Sequence, residues 1–344
     1  MTPPGHGLFA SGRARTGERD AGTARRPPAG RRFRPGPGAA GGADSADALA
    51  RAIGGTPLVN LRTLGPIGGP RLAVKLEGLN PGGSVKDRAA LRIIADAERR
   101  GALGPGRTLL DASSGNTGVA YAMLCARRGY GCVVCLPANA SADRRRLLEA
   151  YGARVIETDP EQGSDGAIRE ARRRAQRDPD RFFYADQYAN PANPAAHYDT
   201  TAPEIWRQTL GQVTHFVAML GTGGTFMGTG RRLRELAPRT RLVAVQPDSP
   251  LHGIEGAKHM ASAIVPPIYD PSLADLVEEV GTEEAQEMAV RLAREEGLLA
   301  GASGGANVVA ALRVAGRAGP DDLIVTVLPE GGARYLEEPW WGGR

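Results

Sequence analysis

From about residue 44 onward, short apolar and β-branched runs alternate with amphipathic stretches, the pattern that encodes a parallel sheet with helices on its faces. Strands are expected over 71–77, 107–111, 132–136, 154–158, 182–186, 214–220, 241–246 and 322–328. Helices are expected over 87–100, 117–128, 141–151, 164–177, 226–236, 283–296 and 305–316. Eight such alternations exceed one sheet of ordinary size. The expected architecture is therefore α/β, with two doubly wound lobes and a ligand cleft between them. A chain of 344 residues is long enough for both.

The net charge of +5 invites a nucleic-acid partner, but its distribution argues against one. Residues 1–43 carry eight Arg against Glu18 and Asp20, or +6, which leaves −1 for everything after them. That Pro/Gly/Arg-rich leader has too little apolar content to fold and is expected to be a disordered extension. An inert tail, an anion-binding arm and an organelle address all remain open for it. No apolar run approaches the roughly 20 residues of a membrane helix, and the N-terminus lacks a signal peptide's apolar core. A cytoplasmic protein without membrane contact is expected.

Three cysteines occur, Cys125, Cys132 and Cys135, too few for a disulfide framework. Cys132 and Cys135 have CxxC spacing but lie in GCVVCLP, which reads as a buried strand and not as an exposed redox or zinc turn. No His/Cys/Asp cluster has metal-ligand spacing, and His197 and His215 read as hydrogen-bonded structural residues.

Forty Arg accompany only Lys75, Lys86 and Lys258. A base-composition bias toward Arg acts where either cation serves. It does not act where an amine nucleophile is required, because a guanidinium cannot deprotonate to form an imine. Lys86 stands in Asn80-Pro-Gly-Gly-Ser-Val-Lys-Asp-Arg88, where a turn hands over to a helix. Ser84 reads as the N-cap with Asp87 in a box-like position, so Lys86 falls in the first turn, where the helix dipole disfavours a proton. A solvated lysine is the alternative.

Two further segments point to anions. Ser113-Ser-Gly-Asn-Thr-Gly118 follows a strand and opens a helix, so its hydroxyls, amide and free N–H groups suit a carboxylate, or simply cap the turn. Gly221-Thr-Gly-Gly-Thr225 also joins a strand to a helix, and its glycines let the backbone close on a phosphate. Phe226 stands where a Walker loop needs Lys, and GTGGTFMG is not a dinucleotide fingerprint, so a phosphate without a nucleotide fits best.

A reactive amine, a carboxylate nest and a separate phosphate cradle describe pyridoxal 5′-phosphate holding an amino acid. With Ile53–Leu58, Gln187–Asn193, His197–Trp206, Leu328-Pro329 and Arg334–Leu336, the chain resembles the cysteine synthase/cystathionine β-synthase family of fold-type II, tryptophan synthase β-like pyridoxal-phosphate enzymes. The likeness spans residues 53–336, about five-sixths of the chain. It implies a smaller substrate-binding lobe of residues 44–57 plus 80–190 and a larger cofactor-binding lobe of 58–79 plus 191–344, with the cofactor between them.

The resemblance also implies roles. Lys86 would carry the cofactor covalently and remove the substrate's α-proton, and Asn116 would bond the ring hydroxyl. Gly221, Thr222, Gly223, Gly224 and Thr225 would cradle the phosphate, with Gly253 near the cofactor's open side. Ser113, Ser114, Thr117 and Gln187 would bind the substrate carboxylate. The implied reaction is β-replacement on an activated serine, acetylserine or phosphoserine, with sulfide to give cysteine, in a homodimer. Serine acetyltransferase and a sulfur-carrier protein are family partners.

Some positions depart from the family pattern. Gly331 stands where a hydroxyl usually meets the pyridine nitrogen, so either Glu330 is solvated or it turns inward to protonate the ring. Gly304 replaces a frequent Ser, and Glu255 a frequent Gly. Asp248 lies where phosphoserine-preferring relatives use an Arg, which leans the reading toward acetylserine. A cystathionine β-synthase-like core, a serine or threonine dehydratase, a diaminopropionate-type synthase and a cofactor-binding regulator without activity remain as alternatives.

Overall fold

The computed structural model describes residues 47–113 and 115–342, without the side chain of Asp143. The leader and Ser114 lie outside the described residues. Residues 41–344 form one compact unit. Its strands are β1 (Leu58–Asn60), β2 (Arg71–Leu76), β3 (Thr108–Ala112), β4 (Gly131–Pro137), β5 (Arg154–Thr158), β6 (Phe182–Tyr184), β7 (His215–Met219), β8 (Arg241–Pro247), β9 (Leu276–Val280) and β10 (Leu323–Leu328).

They assemble into a six-stranded sheet of order β1-β2-β10-β7-β8-β9 and a four-stranded sheet of order β5-β4-β3-β6. Every pairing is parallel except β1 with β2. Parallel strands covered on both faces are apolar along their whole length, and β10, LIVTVL, is buried at every position. Helices Gly224–Leu236 and Ala302–Ala315 pack on the larger sheet; Lys86–Arg99, Asn116–Arg128 and Gly163–Arg177 pack around the smaller one. Helix Ala302–Ala315 comes so close to Thr282–Glu296 that a Cβ on Gly305 would overlap the Ala285 carbonyl.

All eight expected strands form. β1 and β9 are additional: the first has three residues and runs antiparallel at an edge, and the second, LVEEV, hides its edge position behind two glutamates. The seven expected helices are present, and Ala192–Ala196 and Ala202–Gln208 are two more, joined through a π-helical turn, His197–Thr201. The expected strand 182–186 stops at Tyr184 because Asp186 takes a positive φ of 44° and turns the chain immediately before Gln187. Cys132 and Cys135 are buried, free and part of β4.

In parallel sheets ligands collect beyond the carboxyl ends of the strands, where connections depart to opposite sides. β3 is such a strand in the small sheet, flanked by β4 and β6. In the large sheet β10 lies between β2 and β7. β3 is followed by Ser113 and Gly115 ahead of helix Asn116–Arg128, β7 by Leu220–Gly223 and β10 by Pro329–Gly331. Among the described residues, no helix is long and apolar enough to cross a membrane.

Candidate active site

A cavity lined by Lys86, Asn116, Gly221, Thr225, Glu255, Gly256, Ser303, Asn307 and Glu330 sits at those carboxyl ends. Lys86 is the first residue of helix Lys86–Arg99. The expected capping box is not formed: the N-cap position is Val85, the Ser84 hydroxyl accepts from the Lys86 N–H at 3.2 Å, and Asp87 reaches back to the Gly82 N–H at 2.5 Å. A Cβ on Gly82 would overlap the Asp87 carboxylate, and one on Gly83 would lie 2.8 Å from Arg334 Nη2, so both positions are left to glycine. Burial lowers the Lys86 pKa, and the Glu330 carboxylate opposes it only in part. The amine is therefore biased toward its neutral, nucleophilic form.

The glycine loop follows β7. Gly223 has φ +87°, a conformation glycine adopts without strain, and it leads into helix Gly224–Leu236. A Cβ on Gly221 would overlap the Gly256 carbonyl, and one on Gly224 would overlap Asn193 Oδ1. The loop is held from behind by the Gln187–Thr201 segment. Asn193 Nδ2 donates to Thr222 Oγ1 at 3.0 Å, and His197 Nε2 lies 3.4 Å from Thr225 Oγ1. His197 is buried and bonded to Thr201 at 2.9 Å; burial first, and Arg88 second, hold its pKa at about 3, so it is neutral.

In the turn expected to take a carboxylate, Ser113 Oγ accepts from the N–H groups of Gly118 (2.9 Å) and Gly115 (3.2 Å). Thr117 Oγ1 donates to Gln187 Oε1 at 2.7 Å, and Gln187 Nε2 donates to the Ala112 carbonyl at 2.6 Å. Gln187 thus braces the turn. Its own N–H donates at 3.1 Å to Asp111, a carboxyl that burial raises to about 7 against the bonds it accepts from Ala112 and Gln187.

Lys86, Asn116, Gly221 and Thr225 line the cavity together, while Thr222, Gly223 and Gly224 shape the loop behind it. Two expected cofactor residues fall elsewhere. Gly253 donates its N–H to Thr282 Oγ1 at 2.9 Å, and from its segment it is Glu255 and Gly256 that reach the cavity. Gly331 pairs through its backbone with Ala300, and Glu330 beside it takes the lining position. The solvated reading of Glu330 is overturned: the residue is 4% exposed, and its carboxylate accepts from Asn116 Nδ2 and, at 3.3 Å, from Ser303 Oγ. Asp248 is exposed, lies against Gly281 and does not line the cavity, so it carries no information about the leaving group.

Asn307 and Arg334 are cavity or near-cavity residues that sequence reasoning did not place there, whereas Ser303 and Glu255 come from the Ala302–Gly305 and His252–Gly256 segments, whose departures from the family pattern pointed to the cofactor surroundings. Arg334 Nη1 donates to Asn116 Oδ1 at 2.5 Å and Nη2 to the Gly82 carbonyl at 2.6 Å, tying three segments together. Its place in the Arg334–Leu336 motif was the available signal. Asn307 gave none, because only the packing of its helix against β10 brings it to the cavity. Among the described residues, no group of His, Cys, Asp and Glu is placed to hold a metal ion.

A family model described as pyridoxal-phosphate dependent enzyme matches residues 49–330. Cysteine synthase from Aquifex aeolicus is 45% identical over 296 residues, covering 84% of this chain and 90% of the relative. Cysteine synthase B from Salmonella typhimurium is 45% identical over 294 residues, covering 86% and 96%. This chain belongs to the cysteine synthase family of pyridoxal-phosphate dependent enzymes. Two solved structures share its fold: O-ureido-L-serine synthase, at a TM-score of 0.81 and 38% identity over 86% of this chain and 95% of that one, and cysteine synthase from Entamoeba histolytica, at 0.80 and 34% over 86% and 90%. The fold is thus fold-type II, as the sequence led us to expect.

Pyridoxal phosphate is the cofactor of this cysteine synthase family member, and the residues present fit it. A buried amine of lowered basicity faces the cavity, while Gly221 and Gly224 leave no room for side chains in a loop that opens a 13-residue helix. Backbone N–H groups at such a helix start suit a phosphate.

Proposed function

We propose that this chain is a cysteine synthase acting as a homodimer, with an activated serine as amino-acid substrate and sulfide as the nucleophile. The observation that carries this reading is the single cavity shared by the Lys86 amine, Asn116 and the glycine-loop residues Gly221 and Thr225. The bound cofactor supplies an electron sink for the charge left at the α-carbon.

The protein does the rest. Lys86 Nζ anchors the cofactor and afterwards takes the α-proton. The Ser113–Thr117 turn orients the α-carboxylate, with Gln187 as its brace. The N–H groups of Gly221–Thr225 grip the phosphate from one side, while Asn116 is positioned by Arg334 and Glu330. The four-stranded layer closes over the carboxylate and keeps water from the reacting atoms.

The experiment is a rapid-scan absorbance titration of the loaded protein with acetylserine and then phosphoserine, followed by sulfide. Acetylserine is expected to displace the cofactor band, and sulfide to restore it with release of cysteine. No displacement by either substrate overturns the reading in favour of a regulator without activity. The likeness to O-ureido-L-serine synthase favours a second reading, in which the nucleophile is hydroxyurea, a compound able to deliver an O-ureido group. Restoration of the band by hydroxyurea but not by sulfide would select it.

Glu330 would take the place of the missing hydroxyl at the pyridine nitrogen. Its burial beside Asn116 and Ser303 supports this, and a carboxylate there would hold the nitrogen protonated and deepen the electron sink. Glu330→Gln is expected to lower turnover on the order of a hundredfold and to shift the cofactor's absorbance. If the variant keeps both the parent's spectrum and its rate, Glu330 does not serve the ring.

A further inference from the structure

Arg144 forms an ion pair with Glu255, a lining residue of the Lys86 cavity, and the pair joins elements that the sequence keeps far apart. Arg144 belongs to helix Ala142–Ala150 beside the small sheet, and Glu255 to the segment after β8 of the large one. The Arg144 side chain is only 7% exposed. Its Nη2 donates to the Tyr335 hydroxyl at 3.2 Å, and its guanidinium carbon lies 5.9 Å from the Tyr335 ring centre. A Cβ added to Gly115 would stand 3.1 Å from Arg144 Nη1, so the guanidinium lies directly against the turn expected to take a carboxylate. Glu255 lines the cavity with Lys86 and is 37% exposed. The pair therefore links Gly115, in the turn after β3, to the lining of the cavity that holds Lys86.

We propose that this pair reads the charge of the substrate's β-substituent, Glu255 excluding a dianionic phosphate ester and admitting an uncharged acyl ester. The inference rests on the functional reading above and narrows its substrate class. A guanidinium fork matches a phosphate as well as it matches a carboxylate, so Arg144 alone would recruit a phosphoserine. Glu255 already occupies that fork. An incoming phosphate must displace a tethered carboxylate, whose effective concentration is high, and must then lie beside it as a like charge. An acetyl ester meets neither obstacle, because it asks nothing of Arg144. Glu255 is thus a specificity residue acting by repulsion.

The test compares the holoenzyme with Glu255→Gln and Glu255→Gly, each alone and combined with Arg144→Gln. The kcat/KM ratio of phosphoserine to acetylserine is expected to rise about tenfold or more in both Glu255 variants, through KM for phosphoserine. Calorimetric titration with inorganic phosphate is expected to show about tenfold tighter binding, lost again when Arg144→Gln is added. Glu255 is partly exposed, and two different replacements guard against an artefact of either one. Unchanged ratios and unchanged phosphate affinity in both variants overturn the proposal, as do gains that survive Arg144→Gln. Failure of the underlying reading looks different: borohydride reduction then leaves no pyridoxyl group on the Lys86 peptide of the parent protein.

Discussion

Lys86→Ala will reduce turnover on the order of 10³- to 10⁴-fold, and Lys86→Arg will do no better. The amine is asked to do two things, to hold the cofactor covalently and to move a proton at the α-carbon. An alanine does neither. An arginine keeps the charge and much of the length, but its guanidinium stays protonated and cannot form the covalent link. The pair of variants thus separates a need for positive charge from a need for a neutral amine. Burial lowers the pKa of this amine, since it outweighs the opposing carboxylate of Glu330, and so eases its deprotonation. The measurement is steady-state turnover, together with mapping of the borohydride-fixed pyridoxyl group, expected on the peptide containing position 86 of the parent and on neither variant. A retained rate in Lys86→Arg, or a fixed group on Lys75 or Lys258, would remove Lys86 from the centre of the chemistry. Lys75 is an unsuitable substitute because it is wholly buried among Thr56, Glu204 and Gln208.

The sequence made Lys86 visible because the surviving lysines are so few, and it made the layers visible because buried parallel strands are written as unbroken apolar runs such as Leu323–Leu328. Short edge strands lack that signature, which is why Leu58–Asn60 and Leu276–Val280 were not expected. The glycine loop could be read because a run of glycines between a strand and a helix is itself visible, although what crowds it, the Gly256 carbonyl and Asn193, comes from elsewhere in the chain. The reverse holds for Arg144 and Asn307. They come from two different helices, and nothing in their own neighbourhoods distinguishes a residue that meets the site from one that faces water. Glu330 lay between these cases. Its position in the motif was noticed, but whether it turned inward depended on Asn116, 214 residues away, and on Ser303. The Ser84 capping box failed for a local reason, because Asp87 is drawn back to Gly82.

The largest effect on stability is expected from a residue only two positions beyond Lys86. Arg88 is buried with Glu77 and Glu204 and makes four bonds of 2.7–2.8 Å to their carboxylates. Lys75 adds a 2.7 Å bond to Glu204, and Thr56 and Asn80 donate to Glu77 at 2.7 and 2.8 Å. Two cations and two carboxylates balance, and their remaining lone pairs and protons are largely bonded, the condition under which a buried ionic group is tolerated. Arg88→Met leaves two carboxylates facing one lysine in the interior and is expected to destabilise the fold by about 3–5 kcal/mol at pH 7. The pH dependence carries a definite sign. Burial alone would raise both carboxyls, but the bonds from Arg88 and its neighbours outweigh it, holding Glu204 at about 2 and Glu77 below the ordinary range. A carboxyl depressed in the folded state stabilises fully above its unfolded pKa and loses that contribution as pH falls toward the folded value. The gap between parent and Arg88→Met should therefore be widest near neutrality and close between about pH 4.5 and 2. Urea denaturation midpoints across that range check it, and a gap that is small at pH 7, or constant with pH, would show that the four charges do not act as a unit. The cluster joins the residue after β2 and the helix Ala202–Gln208 to the first turn of the helix that begins at Lys86. Loosening it should also displace the amine, so the folded fraction of Arg88→Met should turn over more slowly than the parent. A buried charge network beside the reactive lysine is thus one device with two measurable consequences, an acid limit on stability and a fixed position for Nζ.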